Sequence, residues 1–317
     1  MTKRRRKKQL RKKRLAIVIV SVLAIVILIS SLAWFGISAA IRAHNEKVHA
    51  EQQAELSSEI STIQSVPVAS DVSNETLETL KNQTLTAYTT DPETGDIIYT
   101  QNESADQAKW FLDHLQDYNE EMLVYYLGNP ERFEFVKAWP QRDQYMTPPE
   151  KLDVSLDEVP ALIQWSLDWG YLPYGDSTVF YAGCAPTCLS MVLSYLKQDP
   201  TITPVVLKEY AEQNGYYVPD AGTAHALLDD IGELYGVNDI RIPVDQETVH
   251  QALSDGKILI FNMVPGNFTT VGHFIVVTGE KDGKLVVHDP NNIGRTEKLW
   301  SYEEVLPETA NIWSFWN

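Results

Sequence analysis

Positions 15–41 form a run of 27 residues without a formal charge, and this run limits what the first part of the chain can become. About 20 apolar residues in a helix cross the hydrocarbon core of a bilayer, so the run is long enough to span one with tilt. Ten of the 14 residues before it are Lys or Arg, and none is acidic. The apolar stretch of a cleaved signal peptide is shorter, about 7–15 residues. Length therefore favours an uncleaved anchor, although small residues at 38–40 leave a cleavage site open. Positive charge before the span puts the N-terminus in the cytoplasm and everything after Arg42 outside. Beside a span, the basic cluster reads as a topology signal in contact with anionic membrane lipid.

The remainder is acidic. Net charge is −17 overall, and all 43 Asp and Glu lie beyond position 14 with only 16 of the 26 Lys and Arg, which leaves −27 there. No nucleic-acid partner is expected for such a surface. Two cysteines, four residues apart, do not make the framework of a disulfide-stapled secreted domain.

Composition divides the chain. A basic segment (1–14) and the span (15–41) precede a polar, Glu/Gln/Ala-rich stalk that passes into a Ser/Thr/Asp/Asn-rich linker (42–103). A helical collar (104–152) follows: Ser104 is read as the cap of one helix, Asn119 of a second, and Pro130 starts a third. Residues 153–317 make one further domain. Helices are predicted after Gly183, from Thr203-Pro204 to Gly215, from Thr223 to Gly236, and over 245–253. Strands are predicted at 258–264, 273–278, 284–288 and 312–314, with a short helix at 302–305. Helices first and antiparallel strands later imply an α+β architecture.

Gly183-Cys184-Ala185-Pro186-Thr187 places a thiol at the mouth of an amphipathic helix. The first N–H groups of a helix lack partners and carry partial positive charge, so they stabilise a nearby thiolate. Downstream, Asp282-Gly283 between two β-branched runs is a hairpin signal. A turn centred near Lys281 pairs positions that sum to about 562, which sets His273 opposite Asp289 on one face. An imidazole to take the thiol proton and a carboxylate to orient the ring are the parts thiol hydrolysis needs. Gln164, twenty positions before Cys184, is a candidate side-chain donor to an oxyanion, with the Cys184 N–H as the second.

The order of Gln164-Trp165, Gly183 to Thr187, Gly272-His273-Phe274 and Asp289-Pro290-Asn291 resembles the papain-like cysteine peptidases of the bacteriocin-processing, double-glycine-leader type. The likeness is strongest to their stand-alone, membrane-anchored bacterial branch. It covers about 155–317, extending to Asn129-Pro130-Glu131 in the collar. The resemblance implies a papain-like peptidase domain with Cys184 as nucleophile, His273 as base, Asp289 as orienting acid and Gln164 as oxyanion donor. It implies a peptide or related amide substrate, no metal and no organic cofactor. Two departures stand out: Ala185 replaces the family's glycine, and Ser166-Leu167-Asp168 replaces a more charged stretch. No phosphate-binding Gly-x-x-x-x-Gly-Lys-Ser/Thr pattern occurs, so leader cleavage coupled to ATP-driven export is not expected.

Other residues carry plainer readings. Cys188, one turn inside the helix, belongs to the core; a zinc site built from both cysteines lacks a second Cys/His pair. His225 is the rival base, but its place at a helix start suits capping or the surface. His288 falls on the opposite face of its strand from Asp289. Two alternatives keep the same domain: transfer of the acyl group to an amine, and a papain-fold binding module without turnover.

Overall fold

The computed structural model describes residues 3–317, with side chains at 12, 13 and from 16 onward, so most side chains of the basic cluster lie outside the described residues. Close packing divides the chain into two compact units. One takes in the chain up to Val68 with Leu77–Asp113; the other is Ala69–Thr76 with His114–Asn317.

In the first unit, α1 (Lys3–Ser65) continues without a break from the apolar run into the polar stalk. Its stretch from Ala16 has a mean hydropathy of 3.0 in its most apolar window, none of it buried, and is long and apolar enough to cross a membrane. The region read as linker is structured. It carries α2 (Asn74–Leu85), the hairpin β1 (Tyr88–Thr90) and β2 (Ile97–Tyr99), and then α3 (Glu103–Asp113). The reason is visible in retrospect: Leu77 and Leu80 recur at helical spacing and are fully buried. The Gln53 side chain also pairs with both the N–H and the carbonyl of Ile97, which ties the hairpin to α1. Asn102, not Ser104, caps α3, its Oδ1 accepting from the Ser104 and Ala105 N–H groups.

The second unit opens with the collar: α4 (Glu120–Gly128), capped by Asn119, a 3-10 turn (Pro130–Arg132) and α5 (Phe133–Lys137). The ribbon β3 (Pro173–Tyr174) and β4 (Ser177–Thr178) leads into α6 (Val179–Ala182) and α7 (Cys184–Lys197). Then come α8 (Pro204–Gln213), the ribbon β5 (Tyr217–Val218) and β6 (Gly222–Thr223), and α9 (Ala226–Tyr235). Thr223 was expected to open that last helix; it pairs with Tyr217 instead, and its hydroxyl lies 2.6 Å from the Tyr174 hydroxyl. The chain ends with β7 (Asn238–Ile242), α10 (Gln246–Ser254), β8 (Ile258–Met263), β9 (His273–Lys281), β10 (Lys284–His288), α11 (Ile293–Glu297), β11 (Leu299–Trp300), α12 (Tyr302–Val305) and β12 (Thr309–Trp316).

Six of these strands form one antiparallel sheet in the order β11-β10-β9-β8-β12-β7. Side chains alternate across a strand, so each strand feeds two cores. Ile258, Ile260, Phe274, Val276, Trp313 and Phe315 join Leu189, Met191 and Leu228 of α7 and α9 on one face. Leu259, Phe261, Ile275 and Val277 meet Val249 and Val305 of α10 and α12 on the other. Every residue of β8 is buried, which explains why this central strand reads as a continuous apolar run. The domain is α+β, as the order of elements implies. Strands β7 and β11 were not foreseen: β7 alternates among charged residues, and β11 has only two residues.

Candidate active site

Cys184 is the first residue of α7, preceded by Gly183, and is partly exposed. Local chemistry builds this corner. A Cβ at Gly183 would collide with the Val179 carbonyl oxygen, so only glycine lets α6 hand over to α7 so tightly. Thr187 closes the first turn, its N–H and hydroxyl both donating to the Gly183 carbonyl at 3.0 and 2.7 Å. Pro186 sits in that turn, where no N–H is needed. The sulfur thus stands at the positive end of a 14-residue helix whose next turns are buried.

His273 opens β9 and is buried; its Nε2 donates to Asp289 Oδ1 at 2.7 Å. Nδ1 is the ring nitrogen left for another partner. Burial by itself would lower the imidazole pKa. The Asp289 charge and hydrogen bond outweigh burial, the Cys184 side chain adds a further hydrogen bond and charge, and the pKa is pushed up to about 10. Asp289 is 1 % exposed. Burial favours its neutral form, but His273, the Asn291 N–H and Arg295 together hold its pKa below the ordinary carboxylate range. Those donors are well placed: the Asn291 N–H reaches Oδ1 at 2.8 Å and Arg295 Nη1 reaches Oδ2 at 3.1 Å.

The route by which His273 meets Asp289 differs from the expected one. The turn centres between Asp282 and Gly283, both with positive φ, so β9 and β10 start in register as Lys281↔Lys284, Glu280↔Leu285 and Gly279↔Val286. Without interruption that register would put His273 and Asp289 on opposite faces. A bulge at Thr278 shifts the pairing to Val277↔Val287 and Val276↔His288. Continued one residue past β10, it places Asp289 beside Ile275, and His273 becomes its diagonal neighbour on the same face. Direct cross-strand pairing is therefore not what joins them; a bulge and a diagonal are.

Gln164 is 2 % exposed, and its backbone N–H donates to the Pro290 carbonyl at 2.7 Å. Its Nε2 donates to the Phe180 carbonyl at 2.7 Å, which ties it to the turn just before Cys184, while Oε1 is buried without a hydrogen-bond partner. One amide hydrogen is thus engaged and the second remains. Trp165 Nε1 donates to the Asn291 carbonyl at 3.1 Å. Gln164 is therefore fastened to the turn that carries Asp289 twice over, by its own backbone N–H and through its neighbour Trp165.

Cys188 is fully buried and its thiol donates to the Phe274 carbonyl; burial pushes its pKa well up. His225 caps nothing. It packs edge-on against Phe274 and Trp313, and burial, then the Arg241 charge, lower its pKa. Among the described residues, no group of three or more His, Cys, Asp or Glu is arranged to hold a metal.

Sequence reasoning missed Arg295, Tyr125 and Arg132. Arg295 lies in a short helix beyond the motif. The other two are collar residues 159 or more positions before Asn291, and no spacing signals such a contact.

The chain matches the Peptidase_C39 like family over residues 156–316 and belongs to it. Membership supports a function of the cysteine peptidase type. Among solved structures it is similar to the peptidase domain of Streptococcus ComA, a bifunctional ABC transporter involved in a quorum-sensing pathway. That match has 18% identity, covers 43% of this chain and 90% of the other, and has a TM-score of 0.34. It is also similar to a C39-like peptidase of Bacillus anthracis at 14% identity, covering 53% and 98% of the two chains, with a TM-score of 0.33. No curated protein matches the chain.

Proposed function

We propose that this chain is a membrane-anchored cysteine peptidase whose catalytic domain acts outside the cytoplasm on a peptide or related amide bond. The observation that carries the proposal is one chain of contacts: a thiol at the start of α7 interacts with an imidazole whose far nitrogen is bonded to a buried carboxylate. In this reading His273 already holds the Cys184 proton, so the sulfur attacks the scissile carbonyl as a thiolate beside an imidazolium, and the resulting oxyanion is met by the Cys184 N–H and the Gln164 amide. Collapse breaks the C–N bond, and His273 returns the proton to the leaving amine. A water, deprotonated by His273, then attacks the thioester; the acid leaves and the thiol is restored. Asp289 holds the ring with Nε2–H toward itself and stabilises the imidazolium.

The apolar part of α1 supports the anchor, and the basic residues before it support an outward-facing domain. Two experiments test the proposal. Cys184→Ala in the full chain should abolish iodoacetamide labelling and hydrolysis of a mixed peptide library, with buried Cys188 as internal control. Undiminished hydrolysis in that variant rejects the assignment. Protease added to intact cells should release the C-terminal domain; protection of that domain rejects the topology.

A further inference from the structure

The collar lies outside the matched family region, which begins at residue 156. Yet three collar residues reach the turn that carries Asp289. Arg132 Nη2 donates to Asn291 Oδ1 at 2.9 Å and Nη1 to the Tyr125 carbonyl at 3.0 Å, while its guanidinium lies 3.9 Å over the Tyr125 ring. The Tyr125 hydroxyl donates to the Phe180 carbonyl at 3.1 Å, the same oxygen that accepts from Gln164. Glu131 accepts from the Ile293 and Gly294 N–H groups at 2.9 and 2.8 Å, receiving the start of α11, from which Arg295 reaches Asp289. The turn between Asp289 and Gly294 is thus held from the collar side by a half-buried cation and by a carboxylate.

We infer that Glu131 and Arg132 are positioning residues for the active site: the collar fixes the Asp289 turn, and through it the orientation and charge of His273. The inference rests on the function proposed above. Its physical basis is the short path from collar to carboxylate. Asn291 is gripped by Arg132 through its side chain, and the N–H of that same residue donates to Asp289 Oδ1, the oxygen that His273 uses. Releasing Asn291 from Arg132 loosens one of the donors that keep Asp289 ionised and aimed, and releasing α11 from Glu131 loosens another, Arg295. The charged and titratable groups facing the turn are His273 and Cys184 from β9 and α7, Arg295 from α11, Arg132 and Glu131 from the collar, and the Tyr125 and Tyr181 phenols. A collar that merely covered apolar surface would not aim polar groups at this one turn.

The test measures the rate of Cys184 alkylation by iodoacetamide across pH in the full-length protein, with the thermal midpoint of each variant alongside. Arg132→Met should slow alkylation about tenfold near pH 6 and leave the alkaline rate unchanged, since a misaimed ring stabilises the sulfur anion less. Arg132→Lys, which keeps the charge without the two-pronged donor, should recover part of that loss. Glu131→Gln, at an exposed position, should show a smaller change of the same shape, and it covers the event that Arg132→Met does not fold. Added to Asp289→Asn, Arg132→Met should change nothing further, because both act through one carboxylate.

Profiles superimposable on the wild type in Arg132→Met and Glu131→Gln overturn the inference. So does a uniform loss at all pH values with a lowered midpoint, or an additive effect in the Asp289→Asn background. If the wild-type Cys184 is no more reactive near pH 6 than the same residue in urea, the proposed function fails first, and the inference falls with it for that separate reason.

Discussion

The two sides of the candidate site are built in opposite ways. The Cys184 side is made of neighbours: Gly183 turns the chain, Pro186 and Thr187 shape the first helical turn, and Cys188 packs one turn on. The Asp289 side is made of strangers. Its turn is held by His273 across the sheet, by the backbone of Gln164, by Trp165, and by collar residues about 160 positions away. A locally built element tolerates distant change but not a change of its own backbone. An element built from distant contacts can be loosened from any of several places, which makes it the more adjustable half.

The largest effect should come from Asp289. Asp289→Ala strands a buried imidazolium and the Arg295 guanidinium, and breaking such a pair costs about 3–5 kcal/mol; urea unfolding should register it, and a loss below about 1 kcal/mol would show that the turn is held without the carboxylate. Next is Gly183→Ala on the local side. The added carbon meets a backbone oxygen that cannot step aside, so about 1–3 kcal/mol should be lost. That change should also misplace the sulfur, whereas none of the distant contacts should respond; an unaltered rate of Cys184 alkylation would refute the local account.

Proton linkage sharpens the contrast further. The folded-state pKa of His273 lies above its unfolded value, so its contribution to stability is complete below about pH 6.5 and is lost as pH rises toward about 10. Asp289 has the opposite sign: its pKa is lowered on folding, and its contribution is lost only as the solution becomes acid enough to protonate it. Stability should therefore decline on the alkaline side in the wild type and much less in His273→Gln; equal declines in the two would remove the imidazolium from the account. The smallest effect should be Asn119→Ala, which removes the cap of α4 at a cost of about 1 kcal/mol. Chemical denaturation measures this, and a loss as large as that of Asp289→Ala would mean the collar is less modular than its local caps imply.

Legibility followed the same division. The helix starts at Asn119, Thr203 and Asp245 and the αL residue Gly236 after α9 are short-range signals, and each appears where the residues place it; the hairpin turn also forms, but it centres between Asp282 and Gly283 rather than near Lys281. The 74–99 stretch was misread because polar composition hid the Leu77 and Leu80 stripe. For His273 and Asp289, turn arithmetic paired two residues that do meet, but by the wrong path, since the turn centre lies beyond Lys281 and no residue near Thr278 announces a bulge.

What the sequence by itself determined is the long apolar helix, the glycine-led helix start under Cys184, and the apolar runs that make β8 and β9 core strands. All of these depend on interactions among residues a few positions apart, which a linear pattern records. Only the tertiary structure decided that Thr278 bulges, that Arg295 holds Asp289, and that Tyr125, Glu131 and Arg132 reach the same turn. Those contacts join segments whose separation along the chain says nothing about their separation in space, because packing of the sheet and helices sets the distance between them.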